Sequence, residues 1–308
     1  MNKVMTCLQA ATICLILSAS ASMAQAQMVI RYVASAGSDA NPCTRTAPCR
    51  SLQRGVDATP AGSELQVLDS AGYGPNITIN KTITITAVGV NASIMTPSGT
   101  AITINAPGST VVLRGLRLDG VGTGTRGIEI TAAAAVHLEH CVVERFSNGP
   151  SSAGLNINTV ARLYVSDCVF RSNDTGIIIG GLAGTNTGPF ASITIEGTFM
   201  EQNANDGLLA LGGRTTIRHS RVAGNPTAGI AVVNTGVQVT VDDCLISYNG
   251  DGIVSQAGPT VRVANSTITH NNTGLVPTGG AILSRVPASN TVEGNTNPSA
   301  FSGNYSAQ

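Results

Sequence analysis

A repeat of 22 to 31 residues runs through most of this chain and restricts the possible folds more than any other feature. In most copies, short alternating segments are followed by an Asn and then by a Gly with an apolar residue after it. The glycines that mark the copies are Gly127, Gly154, Gly176, Gly207, Gly229, Gly252 and Gly274. Such a period, without helical periodicity, is typical of a β solenoid in which each coil buries its apolar side chains against its neighbours.

The apolar positions predict which side chains point inward. Residues two apart on a strand share one face, so equivalent positions in successive coils should form buried columns. The expected columns are Leu163, Ile193, Thr215, Val239 and Val261; Val165, Ile195, Ile217, Val241 and Val263; Phe170, Met200, Val222, Ile246 and Ile268; and Ile177, Leu208, Ile230, Ile253 and Leu275.

An Asn recurs at one position of the last five copies, as Asn173, Asn203, Asn225, Asn249 and Asn271. A buried Asn at a turn can bond the backbone and the Asn of the next coil, which forms a ladder. We therefore interpret these residues as structural. The Gly that follows is expected to supply an unusual backbone angle or a close approach to the adjacent strand.

Cys7 and Cys14 lie in the first 26 residues, and the other five cysteines divide into two groups. Cys43 and Cys49 flank a short loop and are predicted to form a disulfide if the chain is exported. Cys141, Cys168 and Cys244 share a column of small residues with Thr198, Ser220 and Ser266. A Cys141–Cys168 disulfide is compatible with the strand spacing but depends on side-chain angles. Cys244 is too far from both and is expected to be a buried free thiol.

Charge excludes one class of partner. The chain of 308 residues has 17 basic and 17 acidic side chains, and only 11% of its residues are charged. No basic cluster is present, so we expect no nucleic-acid partner. Neither a C-x-x-C motif nor a His cluster suggests a metal site, and no cofactor is expected.

Residues 1–26 have the pattern of a secretory signal peptide. Lys3 supplies the positive charge, Thr6 to Ser18 form a short apolar run, and small residues precede the predicted cleavage after Ala24 or Ala26. The run is shorter than the roughly 20 residues that span a bilayer. We expect a secreted, extracellular or periplasmic, protein with no membrane span in the mature chain.

The segment that begins YVASAGSDANPCTRTAPCRSLQRGVDA resembles the N-terminal cap of secreted right-handed parallel β-helix proteins of the pectin-lyase-like superfamily. The resemblance implies an all-β fold, a right-handed parallel β-helix with a capping helix near Ser51 to Ala58. The average period of the repeat gives about nine coils between residues 63 and 289. Ser51 would be the N-cap, with Leu52 and Val56 on one face. The expected parts are the signal peptide 1–26, the cap 27–62, the β-helix 63–289 and a polar C-terminal tail 290–308. The superfamily contains lyases, hydrolases and proteins without known activity, so the resemblance fixes the fold more closely than the function.

Two acids are the candidate catalytic residues. Polygalacturonase-like members carry a catalytic Asp just before a Gly-apolar strand, and Asp206 and Asp251 hold that position here, two coils apart. Two strand spacings give about 9.6 Å, at the far edge of the separation in inverting glycosidases. One acid would protonate the leaving oxygen while the other activates water. The alternative is that each Asp-Gly pair simply forms a tight turn. The other catalytic motifs of the polygalacturonase-like members, Asn-Thr-Asp, Gly-His-Gly and Arg-x-Lys, are missing here, which favours this alternative.

Three functional interpretations remain. The leading one is an extracellular recognition or structural scaffold without catalysis, whose partner is an extracellular polysaccharide or a cell-surface protein. The second is a polysaccharide lyase or glycoside hydrolase that acts on an acidic polysaccharide. The third is self-assembly through an aliphatic stripe on the outer side of the coils. That stripe follows Glu129 and Asn156 and is expected to contain Ile178, Leu209, Ala231, Val254 and Val276. The insert 180–190 could cover it.

Overall fold

The computed structural model describes residues 28–159, 162–180, 192–287, 289–297 and 299–306. In these residues the chain forms a right-handed parallel β-solenoid of about ten turns, so the predicted fold class is confirmed. Each coil contributes one strand to each of three sheets, which we number in the order in which a coil enters them. The predicted signal peptide and most of the insert 180–190 lie outside the described residues.

The first sheet has twelve described strands. They are Ile30–Val33, Ser63–Val67, Ile83–Thr86, Thr110–Arg114, Ala135–Glu139, Arg162–Ser166, Ser192–Glu196, Arg214–Arg218, Gln238–Asp242, Thr260–Ala264, Ala281–Val286 and Gly303–Ser306. The second sheet has ten described strands. They are Ala71–Gly72, Ala92–Met95, Leu116–Asp119, Val142–Glu144, Val169–Arg171, Phe199–Glu201, Arg221–Ala223, Leu245–Ser247, Thr267–Thr269 and Thr291–Glu293.

The third sheet has nine described strands. They are Ile77–Ile79, Thr100–Asn105, Arg126–Ala132, Ala153–Ile157, Thr175–Ile179, Asp206–Ala210, Ala228–Val233, Asp251–Gln256 and Thr273–Thr278. After the predicted boundary at residue 289, the chain adds the strand Thr291–Glu293 to the second sheet and Gly303–Ser306 to the first. The polar segment that follows the β-helix in the sequence thus still pairs with it.

The inward columns form as the repeat predicts. Leu163 pairs in register with Ile193, and the same register continues through Thr215, Val239 and Val261. The column that runs through Phe170 and Met200 behaves in the same way on the second sheet, and the column through Ile177 and Leu208 does so on the third. All of these side chains are buried. The core is therefore one continuous set of stacked apolar residues along the solenoid axis.

The asparagine ladder is confirmed and is one coil longer than predicted. Each Nδ2 donates to the Oδ1 of the next Asn along the stack, at 2.9–3.3 Å, from Asn173 to Asn295. The same Nδ2 groups also donate to backbone carbonyls, for example from Asn225 to Met200 O at 3.1 Å. Because these side chains are buried, the ladder satisfies polar groups that would otherwise lose hydrogen bonds with water.

The glycine after the ladder is required by close approach. A Cβ on Gly207 would lie 2.5 Å from Val222 Cγ1 and 2.7 Å from the carbonyl oxygen of Gly229. Positive φ occurs elsewhere, at the turn between the first and second sheets, where Asp167, His219, Asp243 and Asn265 have φ of 48 to 52°. Asn, Asp and His tolerate this region better than most residues, which explains the polar residues at that turn.

The N-terminal end is covered as predicted. The helix Leu52–Ala58 begins at Ser51, whose side chain accepts a hydrogen bond from the backbone N–H of Arg54, and Leu52 and Val56 are buried. Cys43 and Cys49 form a disulfide. The strand Ile30–Val33 pairs with Ser63–Val67, so the cap also extends the first sheet.

The other three cysteines in the described residues, Cys141, Cys168 and Cys244, are free and buried. The backbone N–H of Cys141 donates to Cys168 Sγ at 3.4 Å, and that of Cys244 donates to Ser266 Oγ at 3.1 Å. The pairing of Cys141 with Cys168, which the sequence left open, is not made in this structure. Burial raises the pKa of Cys244 to about 11, which keeps that thiol protonated and unreactive at neutral pH.

Candidate functional site

Asp206 and Asp251 lie at the start of two third-sheet strands, in one register column with Ala228 between them. The two acids are thus two strand spacings apart, at about 9.6 Å between their backbones. Asp251 is half-buried, whereas Asp206 is only 8% exposed. The structure brings the two predicted residues onto one edge of the sheet but covers one of them.

The surroundings of Asp206 disfavour its charged form. Burial is the main reason that the pKa of Asp206 rises to about 6. The hydrogen bond from the backbone N–H of Ala228 opposes this rise, and the nearby charge of Asp174 contributes to it. Burial also raises the pKa of Asp174, while the side-chain hydrogen bond from Asn205 opposes that rise. One carboxylate oxygen of Asp206 and one of Asp174 are buried and have no hydrogen-bond partner in the described part of the chain.

This arrangement has one chemical capability. A carboxyl group with a pKa near 6 can hold a proton near neutral pH and can therefore act as a general acid. Asp251, which water reaches, could activate a water molecule on the other side of a bound glycosidic bond. The covered position of Asp206 requires that the substrate, or a local movement, open a path to its carboxyl group.

A second group of charged residues lies on the outer side of the second sheet, and sequence reasoning did not identify it. Four arginines there pair with three acids. Arg145 pairs with Asp119, Arg117 and Arg171 pair with Glu144, and Arg221 pairs with Glu201. We call Arg117, Arg145, Arg171 and Arg221 the arginine face.

Exposure differs sharply between the two partners of each pair. The arginine side chains are 36–50% exposed, whereas those of Asp119 and Glu144 are 6–7% exposed and that of Glu201 is 26% exposed. A molecule that approaches this sheet therefore meets guanidinium groups before it meets carboxylates. Hydrogen bonds from Arg145 lower the pKa of Asp119 against the effect of its burial, so this acid remains ionised under its arginine.

A groove of about 470 Å³ continues from the arginine face toward the C-terminal coils. Its outward side chains Phe199, Arg221 and Leu245 follow one another on three successive strands of the second sheet. Phe199 and Leu245 are exposed. His219 lies at the rim, with Nδ1 at 3.4 Å from Glu196 and Nε2 at 3.4 Å from Asp243. Asn265 and Thr267 also line the groove.

Two stacked pairs of aromatic rings lie on the described part of the solenoid. Tyr248 stacks on His270 with ring centroids 5.1 Å apart, and Tyr248 is 64% exposed. Both residues come directly after second-sheet strands, at the edge next to the third sheet. On the first sheet, His137 stacks on Tyr164 at 4.6 Å. Exposed rings of this kind are surfaces on which a sugar ring can pack.

The aliphatic stripe forms one register column on the third sheet, from Glu129 through Asn156 and Ile178 to Val276. Its Ile, Leu and Val members are half-buried, because neighbouring strands cover their sides, and Ala231 is buried. The side chains of the stripe are therefore less exposed than Phe199 and Leu245 in the groove on the second sheet.

The sequence did contain a signal for the arginine face. Second-sheet strands have only two to four residues, and their outward positions include Arg117, Asp119, Glu144, Arg171, Glu201 and Arg221. Opposite charges at outward positions of neighbouring strands suggest ion pairs between coils. Which partner is exposed depends on side-chain packing and could not be predicted.

Two observations concern ligands and membranes. In the described residues, no group of three or more His, Cys, Asp or Glu side chains is placed to hold a metal ion. The same part of the chain contains no helix that is long and apolar enough to cross a bilayer.

The fold and its regular coils match a known family. The family described as "right handed beta helix region" matches residues 100–297. The chain therefore belongs to the right-handed β-helix family. No curated protein matches the sequence.

Solved structures share the fold at low identity. Pectate lyase Pel9A is 16% identical, with 89% of this chain and 72% of that one covered and a TM-score of 0.52. The GH136 lacto-N-biosidase from Eubacterium ramulus is 12% identical, with 90% and 67% covered and a TM-score of 0.50. These similarities concern the fold alone.

Proposed function

We propose that the protein is an exported recognition scaffold that binds an acidic polysaccharide along the outer side of its second sheet. The observation that carries this proposal is the difference in exposure within the ion pairs of the arginine face. A guanidinium group presents five N–H donors in a planar fork that fits a carboxylate or sulfate. Because the acids lie underneath, they hold the arginines in place without repelling an anionic ligand at the surface.

The shape of the surface also fits a polymer. Parallel strands repeat at about 4.8 Å along the solenoid, so the arginine face and the groove form an extended row rather than a closed pocket. The exposed rings of Phe199 and Tyr248 offer apolar surfaces beside these charges. A sugar polymer has both properties that such a row requires, since its rings have apolar faces and its acidic groups recur along the chain.

The test is retention of the purified protein in gels that contain polygalacturonate, with fully methyl-esterified polygalacturonate as the matched neutral polymer. We expect retention by the acidic polymer only, and we expect it to weaken as salt is raised from 50 to 500 mM, roughly the range over which screening becomes strong. Equal retention by both polymers, or by neither, would contradict the proposal.

A matched pair of variants locates the surface. Glu144→Gln combined with Arg171→Gln removes one exposed guanidinium without leaving a buried acid unpaired, and it keeps the net charge. Arg262→Gln removes a half-buried arginine from the first sheet. We expect the first variant to reduce retention and the second to leave it unchanged.

Hydrolysis or lysis of the same polymer is the second candidate function. It is favoured by the raised pKa of Asp206 and by the position of Asp251 two strands away. The structure favours binding over catalysis as the proposed function, because the arginines are open to solvent whereas Asp206 is buried.

Incubation with uronate-rich and neutral polysaccharides, with new reducing ends and unsaturated products both followed, separates the two functions. Product that disappears in Asp206→Asn or Asp251→Asn would establish catalysis at these acids. Product that persists in both variants would place catalysis elsewhere. Binding without product would support the scaffold.

A further inference from the structure

We infer that the groove between Phe199 and Leu245 is a subsite for one carboxylate-bearing sugar residue, with Arg221 as the residue that selects for the charge. This inference rests on the proposed function and specifies one position on the same surface. It depends on the order of three side chains along the second sheet and on the polar residues at the groove's rim.

The order is apolar, cationic, apolar. Phe199 pairs in register with Arg221, and Arg221 pairs with Leu245, so roughly 10 Å separates the two apolar residues. Phe199 is 44% exposed and Leu245 is 38% exposed. A sugar ring that lies on Phe199 would place a substituent on its edge over the guanidinium of the next strand.

Arg221 keeps donors for such a ligand. Its contact with Glu201 is made through Nε, at 3.3 Å. A guanidinium has four further N–H groups on its two Nη atoms. The Arg221 side chain lies beside Glu201 and is 46% exposed. A bidentate hydrogen bond to a carboxylate is the strongest interaction that this arrangement offers.

The rim of the groove suits hydroxyl groups. Asp243 can accept hydrogen bonds from hydroxyls, and the amide of Asn265 can both donate and accept. Both residues line the groove together with His219. His219 lies between Glu196 and Asp243, with a ring nitrogen 3.4 Å from a carboxylate oxygen of each. The residues at the groove thus match a sugar that has a carboxylate at one edge and hydroxyls at another.

The experiment compares a galacturonate hexamer with its carboxyl-reduced, neutral hexamer by isothermal titration calorimetry. Arg221→Gln should weaken binding of the acidic hexamer by about 10- to 100-fold, the value of a charge-assisted hydrogen bond, and should not change binding of the neutral one. Arg221→Lys should recover part of the loss, because it keeps the charge but not the fork. Phe199→Ala should weaken both ligands.

Two controls keep the result clear. The double variant of Arg221→Gln and Glu201→Gln avoids an unpaired acid and should lose the same affinity, while Arg262→Gln should bind as the wild type does. If the wild type binds the acidic hexamer and Arg221→Gln binds it equally well, the subsite is wrong and the proposed function stands. If the wild type binds no acidic polymer or hexamer, the proposed function fails and the subsite fails with it.

Discussion

The asparagine ladder should be one of the largest local contributions to stability, and Asn225 near its middle allows a quantitative test. Its Nδ2 donates to Met200 O at 3.1 Å and to Asn249 Oδ1 at 2.9 Å. Its Oδ1 accepts from the backbone N–H and from Nδ2 of Asn203, both at 3.0 Å. Asn225→Ala removes all four hydrogen bonds at a fully buried position.

The expected loss follows from these contacts. A net value of about 1 kcal/mol per hydrogen bond gives about 4 kcal/mol, with partners left unsatisfied adding to it and water in the vacated space reducing it. We expect a loss of about 3–5 kcal/mol, which is a large part of the 5–15 kcal/mol that typically stabilises a folded protein. The measurement is urea unfolding followed by circular dichroism, supported by thermal midpoints, which should fall by roughly 10 °C.

Two control variants make the test specific. Asn148→Ala changes an exposed turn residue and should cost less than about 0.5 kcal/mol. Asn295→Ala removes the last, half-buried member of the ladder and should cost an intermediate amount. If the free energies of unfolding of Asn225→Ala and Asn148→Ala differ by less than about 1 kcal/mol, the ladder does not stabilise the fold as argued.

Three further outcomes are expected. Asp206→Asn should be more stable than the wild type at pH 7 by up to about 3 kcal/mol. The pKa of Asp206 rises from 3.8 to about 6 on folding, so wild-type stability falls as pH increases through this window. Unfolding at pH 4 and pH 7 should show the higher stability of the variant at pH 7 only, and an equal difference at both pH values would contradict this prediction. Gly207→Ala should lose about 1–3 kcal/mol through overpacking against Val222 and the next coil, whereas Gly72→Ala, where a Cβ meets nothing within 4 Å, should be nearly neutral in the same unfolding assay. The buried thiols should not react with a thiol reagent in the native protein and should react after unfolding, and reaction of the native protein would show that the column is more open than described; these thiols are Cys141, Cys168 and Cys244.

Much of the fold could be predicted because the repeat states the same information many times. The inward columns and the ladder follow from residue types at fixed positions, since each coil must bury the same positions against its neighbours. The cap helix was predicted from the resemblance, and the disulfide from two cysteines that flank a short loop. The turn between the first and second sheets was not predicted, although its recurrent Asp, His, Asn and Gly residues, which tolerate positive φ, could have identified it. The extension of pairing to Ser306 was not predicted, because Asn and Ser residues there join the solenoid through side-chain as well as backbone hydrogen bonds, for example from Asn295 Nδ2 to Ile268 O.

For the candidate site, the sequence predicts the positions of the residues along the solenoid, whereas the structure is needed for their burial. The sequence determined that Asp206 and Asp251 occupy equivalent positions two coils apart, because register in a solenoid is set by the repeat. It could not determine that Asp206 is covered and next to Asp174, because burial depends on side chains from other coils. Nor could it determine that the arginines of the second sheet lie over their acidic partners. Only the tertiary structure decides which member of an ion pair meets solvent, since exposure depends on how neighbouring coils pack around each side chain.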